Sequence, residues 1–270
     1  MNSKFLLLIK RDFLLFWSIS KIKFFNAIFL IISILAITVY LIKINSSIIG
    51  IPNTHIYFTD IYFYLFFGVK YELVKTNHFD FPIMWLILEI IPFYIIGDSF
   101  KIITTKYSLF LIGRSISYHN IFVIQCFLSF CVILIYQVII ISFIIVITYI
   151  FFNPNFSNGE FIRTLYHIQN SSNINVTFFI LIQILSLTCM ILLYNNLVEF
   201  MKSIYAVVII FSITFITIYI PNYKILWING TMFSRIIEFN ISFTYIISIE
   251  LILCFLFYII GTFLYKNREY

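Results

Sequence analysis

The chain has 270 residues, of which 62% are hydrophobic and only 10% are charged, and its mean hydropathy is +1.05. In soluble domains about a quarter of all residues are charged, so this composition excludes a water-soluble fold. The net charge of +6 lies mainly at the ends of apolar runs, which favours a role in membrane topology over nucleic-acid binding. We therefore expect an all-α polytopic membrane protein: six transmembrane helices preceded by an interfacial amphipathic helix.

Residues 1–23 are basic and amphipathic. Lys4, Arg11 and Ser18 recur every seven residues and so share one face of a helix, opposite an apolar face. Such a helix lies in the plane of the membrane interface, which is the structure we predict here. The alternative is an ordinary positively charged segment leading into the first membrane span.

Six apolar segments follow, and we predict a transmembrane helix for each because a bilayer core of about 30 Å needs about 20 residues. They cover residues 24–42, 81–97, 121–152, 178–194, 204–220 and 243–264. The third would be about 48 Å long, so it must tilt or project from the bilayer. Residues 56–69 are apolar but too short to cross, which predicts an interfacial or re-entrant piece on the outer surface.

The distribution of basic residues predicts the orientation. If the N-terminus is inside, 11 of the 17 Lys and Arg residues lie in cytoplasmic segments, although the outer loops are longer. Cytoplasmic segments carry the excess of Lys and Arg in membrane proteins. We therefore expect a multi-pass protein of the plasma membrane with both termini in the cytoplasm, a cytoplasmic loop at 98–120 and a cytoplasmic tail at 265–270.

Motifs for nucleotide, metal or hydrolytic chemistry are absent from the sequence. The seven glycines form neither a Walker A nor a G-x-G-x-x-G pattern, so a phosphate cradle is not expected. The four histidines fall in predicted loops without the spacing of metal ligands; they are His55, His78, His119 and His167. We predict no enzymatic activity and no catalytic, cofactor-binding or metal-binding residues in this chain.

Two acids stand inside predicted spans. Glu89 and Glu250 each lie about eight or nine residues from the outer end of a span, so they are expected at similar depth. An ionisable group in a span is costly and usually faces the bundle interior or a cavity. We interpret the pair as lining a substrate path or a subunit interface. Protonation, or hydrogen bonding to neighbouring hydroxyl groups, would explain the acids equally well.

The loop at 98–120 combines basic and apolar side chains. A solvated linker does not need apolar side chains, whereas a short helix that docks into a partner's groove does. The basic residues would set its register through charge pairs at the rim. The residues expected to carry this docking are Lys101, Lys106, Phe110, Leu111 and Arg114.

The order of these parts, together with two local sequences, resembles the ABC-2-type transporter permeases. The first is I-G-R-S-I-S-Y-H-N-I-F at 112–122, and the second is F-Y-I-I-G-T-F-L-Y-K-N-R-E-Y at 257–270. In that family the central loop forms a coupling helix on the ATPase subunit and commonly carries several basic residues and a Trp. Arg114 matches this pattern, whereas Ser117, Tyr118, His119 and Asn120 depart from it.

The resemblance implies a permease subunit that works with two copies of an ATPase, which would bind ATP and magnesium, and with a second permease copy, identical or not. It also implies transport of a hydrophobic or amphipathic substrate, such as a peptide or bacteriocin, across a bacterial membrane. A non-transporting immunity, sensor or scaffold protein of the membrane is the alternative. A neighbouring gene for a Walker-type ATPase would favour the permease.

Overall fold

The computed structural model describes residues 3–76, 81–112, 118–153, 155, 160–166, 175–220 and 230–266. Within these ranges, the side chains of residues 3–6, 98, 100–101, 104–112 and 118 are not described. Each element assigned in the described part is a helix, which confirms the predicted all-α class.

Ten α-helices and one 3-10 helix lie with both ends inside these ranges, and residues 230–231 also have 3-10 conformation. These helices are α1 (Ser3–Ile49), the 3-10 helix (Asn53–His55), α2 (Phe58–Leu65), α3 (Tyr71–Lys75), α4 (Ile83–Ile112), α5 (Tyr118–Phe151), α6 (Phe161–Leu165), α7 (Val176–Val198), α8 (Ser203–Tyr219), α9 (Phe233–Glu238) and α10 (Phe243–Lys266).

Helix α1 covers both the predicted amphipathic helix and the first predicted span, and it continues into the region expected to be a loop. No Gly or Pro occurs between residues 3 and 49, so nothing in the sequence interrupts the helix at Lys23. It ends where Gly50 takes a φ of +80° and the Ile51 N–H binds the carbonyl of Ser46 at 3.0 Å. This is the hydrogen bond of a glycine-terminated helix, and Pro52 follows it.

Helix α4 consists of two helical pieces that meet at Gly97, whose φ and ψ of 5° and −115° are not helical. The first piece is apolar. The second, residues 98–112, is a helix within the segment expected to form the cytoplasmic loop. The buried hydroxyl groups of Ser20 and Ser99 lie 2.7 Å apart, so the start of this second piece contacts α1.

In the described part of the chain, four helices are long and apolar enough to cross a membrane: Leu7–Ile49, His119–Phe151, Val176–Val198 and Phe243–Lys266. They also expose large apolar side chains on their outer faces, for example Phe29, Tyr149 and Phe255. Extensive apolar surface on long helices is stable in lipid but not in water. The chain is therefore membrane-embedded. Ile83–Gly97 and Ser203–Tyr219 are shorter apolar helices that coincide with the other two predicted spans.

Short helices between the long ones pack at one end of the bundle. Within α2, seven of the eight residues are buried, and the helix packs against α1, α5, α6 and α7. The carbonyls of Phe66 and Phe67, just after α2, accept the N–H groups of Phe233 and Ser234 at 2.9 Å each. Segment 56–69 is thus packed into the bundle end and joined to the start of α9.

Candidate functional site

The two predicted intramembrane acids are both buried inside the bundle. Glu89 on α4 and Glu250 on α10 are 1% and 0% exposed, and their carboxyl groups are close enough to interact electrostatically. All four carboxyl oxygens lack a hydrogen-bond partner among the described residues. Buried polar groups in proteins are normally paired, so this pair marks the most unusual chemistry in the described interior.

Aromatic hydroxyl groups from two other helices surround Glu89. Tyr62 on α2 and Tyr136 on α5 are both fully buried, and both interact electrostatically with Glu89. The Tyr136 hydroxyl donates to the carbonyl of Leu88 at 2.6 Å, and the Tyr62 hydroxyl donates to Oε1 of Gln137 at 3.4 Å. Since both hydroxyls are already engaged in these bonds, neither satisfies the Glu89 carboxyl.

Thr231, in the segment before α9, connects Glu89 to α7. Its carbonyl accepts Nε2 of Gln183 at 2.7 Å, and its hydroxyl accepts Nε1 of Trp85 at 3.2 Å. The same hydroxyl approaches the Glu89 carboxyl without reaching good hydrogen-bonding geometry. The Oε1 of Gln183, fully buried, is left without a partner among the described residues.

The surroundings of Glu250 follow from the register of α7 and α10, which run parallel. Phe178 and Phe243 contact near the starts of the two helices with ring centroids 6.4 Å apart, and Nδ2 of Asn196 donates to the Phe257 carbonyl at 2.9 Å further along. This register brings Glu250 level with the middle of α7, where the buried Ser186 hydroxyl has no described partner. We call Glu89, Glu250, Gln137, Gln183 and Ser186 the interior polar cluster.

A third acid, Asp60, is buried outside the membrane-spanning helices. Its carboxylate accepts the N–H of Tyr57 at 3.0 Å and the N–H of Ile162, at the start of α6, at 3.1 Å. Burial raises the pKa of Asp60 from 3.8 to about 6, although the two backbone hydrogen bonds act in the opposite direction. Asp60 therefore holds α2 and α6 together through a carboxylate that titrates near neutral pH.

Arg235 on α9 is the buried base at the same end of the bundle. Its Nη2 donates to the carbonyl of Ile218 at 2.8 Å, and the guanidinium lies 5.3 Å from the ring centroid of Tyr71. Its Nε and Nη1 have no described hydrogen-bond partner. Burial lowers the pKa of this guanidinium, and the nearby Glu238 partly offsets that effect.

The predicted docking residues cannot be placed with the same detail. The side chains of Lys101, Lys106, Phe110 and Leu111 lie outside the described part, and so does all of Arg114. The backbone at the first four of these positions belongs to the second piece of α4. Their proposed role therefore stays a prediction.

Metal ligands do not cluster in the described part, where no group of three or more His, Cys, Asp or Glu side chains could hold a metal ion. Of the histidines in that part, His55 lies at the end of the 3-10 helix, with its Nδ1 3.9 Å from an oxygen of Glu160. Both of these side chains are exposed, so this contact contributes little to stability.

Sequence reasoning found the two acids of the polar cluster but missed the amides beside them. Gln137 and Gln183 each lie inside an apolar run that was predicted to span the membrane. An amide in a span must find a hydrogen-bond partner or remain unsatisfied, so its position alone was a usable signal. The involvement of Thr231 could not be foreseen, because it depends on how a short segment folds back into the bundle.

No protein-family model, curated protein or solved structure matches the chain. The class of protein therefore follows from the structure itself. It is a membrane-embedded helical bundle whose interior holds two carboxyl groups without described partners.

Proposed function

We propose that this chain is the transmembrane permease subunit of an ABC-2-type transporter in a bacterial plasma membrane. The single observation that carries the proposal is the buried pair of Glu89 and Glu250. A bundle with a lipid-facing apolar surface has no need for two acids at its centre, and such acids typically mark a pathway for a polar or charged group. The substrate would be hydrophobic or amphipathic, with a peptide or bacteriocin as the first candidate.

Contacts between helix ends support six membrane crossings with two shorter helices among them. The N–H of Asn153, just after α5, binds the Ile56 carbonyl at 3.1 Å, so the end of α5 meets the segment before α2. With 34 residues, α5 is about 51 Å long, which is enough to bring its start to the other side of a bilayer. The chain reaches that start from Ile56 through α4, which supports a crossing by α4.

The same reasoning applies to α8. The starts of α7 and α10 lie together, as the contact between Phe178 and Phe243 shows. Because α7 is long enough to cross, α8 has to bring the chain back before α10 begins. With 17 residues, α8 is about 26 Å long, which is near the lower limit for a bilayer core. Together with the distribution of Lys and Arg, these contacts support the proposal that both termini lie in the cytoplasm.

On this topology the second piece of α4 projects on the cytoplasmic side. There it would dock on an ATPase subunit, with Lys101, Lys106, Phe110, Leu111 and Arg114 at the contact. The first 23 residues would form the basic amphipathic segment at the same membrane surface. ATP hydrolysis would occur on the partner, since the chain itself carries no phosphate-binding motif. A second permease copy would complete the transporter.

The test is co-purification of an ATPase with the tagged full-length protein from its native host. We expect the double variant F110D/L111D to insert normally, to lose the ATPase and to stop transport. Leu73→Asp is the matched control, because Leu73 is 45% exposed on α3, on the opposite side of the membrane in this topology. Normal ATPase recovery with the double variant would remove the docking role. Absence of any ATPase from the wild-type preparation would favour a non-transporting immunity, sensor or scaffold protein.

A further inference from the structure

The interior polar cluster has far more hydrogen-bond acceptors than donors. Four carboxyl oxygens of Glu89 and Glu250, and Oε1 of Gln183, have no partner among the described residues. The donors left over in the cluster are Nε2 of Gln137 and the hydroxyl of Ser186, and the hydroxyl of Thr231 lies beside Glu89. The cluster therefore needs additional hydrogen-bond donors.

Among the described residues, the groups that interact with the two acids carry no positive charge. Tyr62 on α2, Tyr136 on α5 and Thr231 face Glu89. Cys254 on α10 and Cys189 on α7 face Glu250, and the two acids face each other. None of these groups is a base. A buried carboxylate without a counter-charge is unstable, and the described residues supply no counter-charge here.

A proton alone does not complete the cluster. Protonation removes the charge of a carboxyl group and supplies one O–H donor, whereas five acceptor atoms of the cluster lack a partner among the described residues. Leaving a buried donor or acceptor unsatisfied costs about 1–3 kcal/mol for each group. A ligand that brings both a positive charge and N–H donors would satisfy Glu89, Glu250 and Gln183 together.

We propose that Glu89, Glu250 and Oε1 of Gln183 bind a primary ammonium group. An ammonium carries one compact positive charge and three N–H donors, which equals the number of acceptor groups supplied here by α4, α10 and α7. A divalent metal ion is a poorer match, because calcium and magnesium take six or more oxygen ligands. This proposal deepens the proposed function and rests on it for one point only, that the ammonium belongs to a transported amphipathic molecule.

The experiment uses the full chain in detergent and octylammonium chloride as the probe. Thermal unfolding is followed with octylammonium, with octyltrimethylammonium and with octanol. The second compound has the same charge and tail but no N–H donor, and the third is uncharged. We expect octylammonium alone to raise the melting temperature in a saturable way. The apparent Kd should weaken about tenfold or more in E89Q and in E250Q, since a charged hydrogen bond is worth that much.

Glu160→Gln is the matched control, since Glu160 is an exposed acid outside the cluster and its loss should leave the apparent Kd unchanged. Equal stabilisation by all three compounds would overturn the proposal, because it would show partition into the apolar surface. Stabilisation by sodium or lithium chloride instead of octylammonium, lost in E89Q, would also overturn it in favour of a metal-ion site.

A second measurement keeps the proposal testable if either Glu→Gln variant fails to fold. Dicyclohexylcarbodiimide modifies protonated carboxyl groups in apolar surroundings, and mass spectrometry locates the product. On the wild-type protein we expect octylammonium to reduce the total modification of Glu89 or Glu250 at least twofold, counted as the carbodiimide adduct plus the N-octylamide that the free amine forms by displacing the urea, while octyltrimethylammonium has no effect. Identical modification with and without octylammonium would contradict the proposal. None of these measurements involves an ATPase, so failure here leaves the permease proposal standing and failure of ATPase co-purification leaves this one standing.

Discussion

The Glu238 carboxylate accepts the backbone N–H of Tyr71 at 2.6 Å and so joins the end of α9 to the start of α3. Its other oxygen accepts the N–H of Glu72 at 2.8 Å. These N–H groups begin a helix, where they have no partner within the helix itself and where a negative charge is favourable. One acid thus connects two segments that are separated in the chain by helices α4 to α8.

Replacing Glu238 by Ala should lower the unfolding free energy by about 2 kcal/mol, because two hydrogen bonds to a carboxylate are lost and two helix N–H groups lose their partner. Thermal unfolding by circular dichroism in detergent measures the change. Glu72→Gln is the control, since Glu72 is exposed and contributes its backbone to the contact. An unchanged melting temperature in Glu238→Ala would show that water replaces the carboxylate without loss.

Protonation of Asp60 should make stability depend on pH between about 4 and 6. The folded protein has the higher pKa, about 6 against 3.8, so it binds the proton more tightly than the unfolded chain in this range. The unfolding free energy should therefore fall as the pH rises from about 4 to about 6, by up to about 3 kcal/mol. Unfolding midpoints in urea at several pH values measure this slope.

Asp60→Asn removes the titrating group but keeps an oxygen that can accept the N–H of Tyr57 or Ile162. We expect the pH slope to be lost in this variant, while Glu72→Gln, which changes an exposed acid that does not act on Asp60, should retain it. A slope of the same size in Asp60→Asn would assign the pH dependence to another group.

Gly261 is needed for the close approach of α10 to α5 and α7. A Cβ at this position would clash with the Phe122 ring and lie 2.5 Å from Oδ1 of Asn196. Small residues allow helices to approach closely in membrane proteins, and overpacking costs about 1–3 kcal/mol. We expect Gly261→Ala to lower the melting temperature. Thr262→Ala, which changes a small side chain at the next position of α10, should have little effect, and equal effects of the two would rule out this packing role.

The sequence identified the two intramembrane acids but not their proximity in the fold. Glu89 and Glu250 are conspicuous because a charge in an apolar run is expensive, and that cost is visible without a structure. Their proximity depends on the register of α4 against α7 and α10, which is set by tertiary contacts such as that of Gln183 with Thr231. Apolar composition alone cannot specify such a register, because nearly every face of these helices is hydrophobic.

Helix limits were predictable where a breaker residue occurs and unpredictable elsewhere. The end of α1 at Gly50 and Pro52 follows from the sequence, as does the absence of any break before it. The segment around Asp60 was expected at the outer surface, on account of its length. Its burial arises from the aromatic side chains of α2, which pack against Phe179 and Phe233 from distant parts of the chain.

The side of the membrane on which each loop lies can be tested with single cysteines at exposed positions. The contact between His55 and Glu160 requires these two positions to share one side. Lys202, between α7 and α8, and Lys266, at the end of α10, should lie on the opposite side if the chain crosses six times. We expect an impermeant maleimide to label cysteines at 55 and 160 in intact cells, and cysteines at 202 and 266 only after permeabilisation.

The background protein has its four native cysteines replaced by alanine and must first show the wild-type melting temperature. Labelling at 202 together with 55 in intact cells would mean that α7 does not cross. Labelling at 55 without 160 would contradict the packing of the short helices at one end of the bundle.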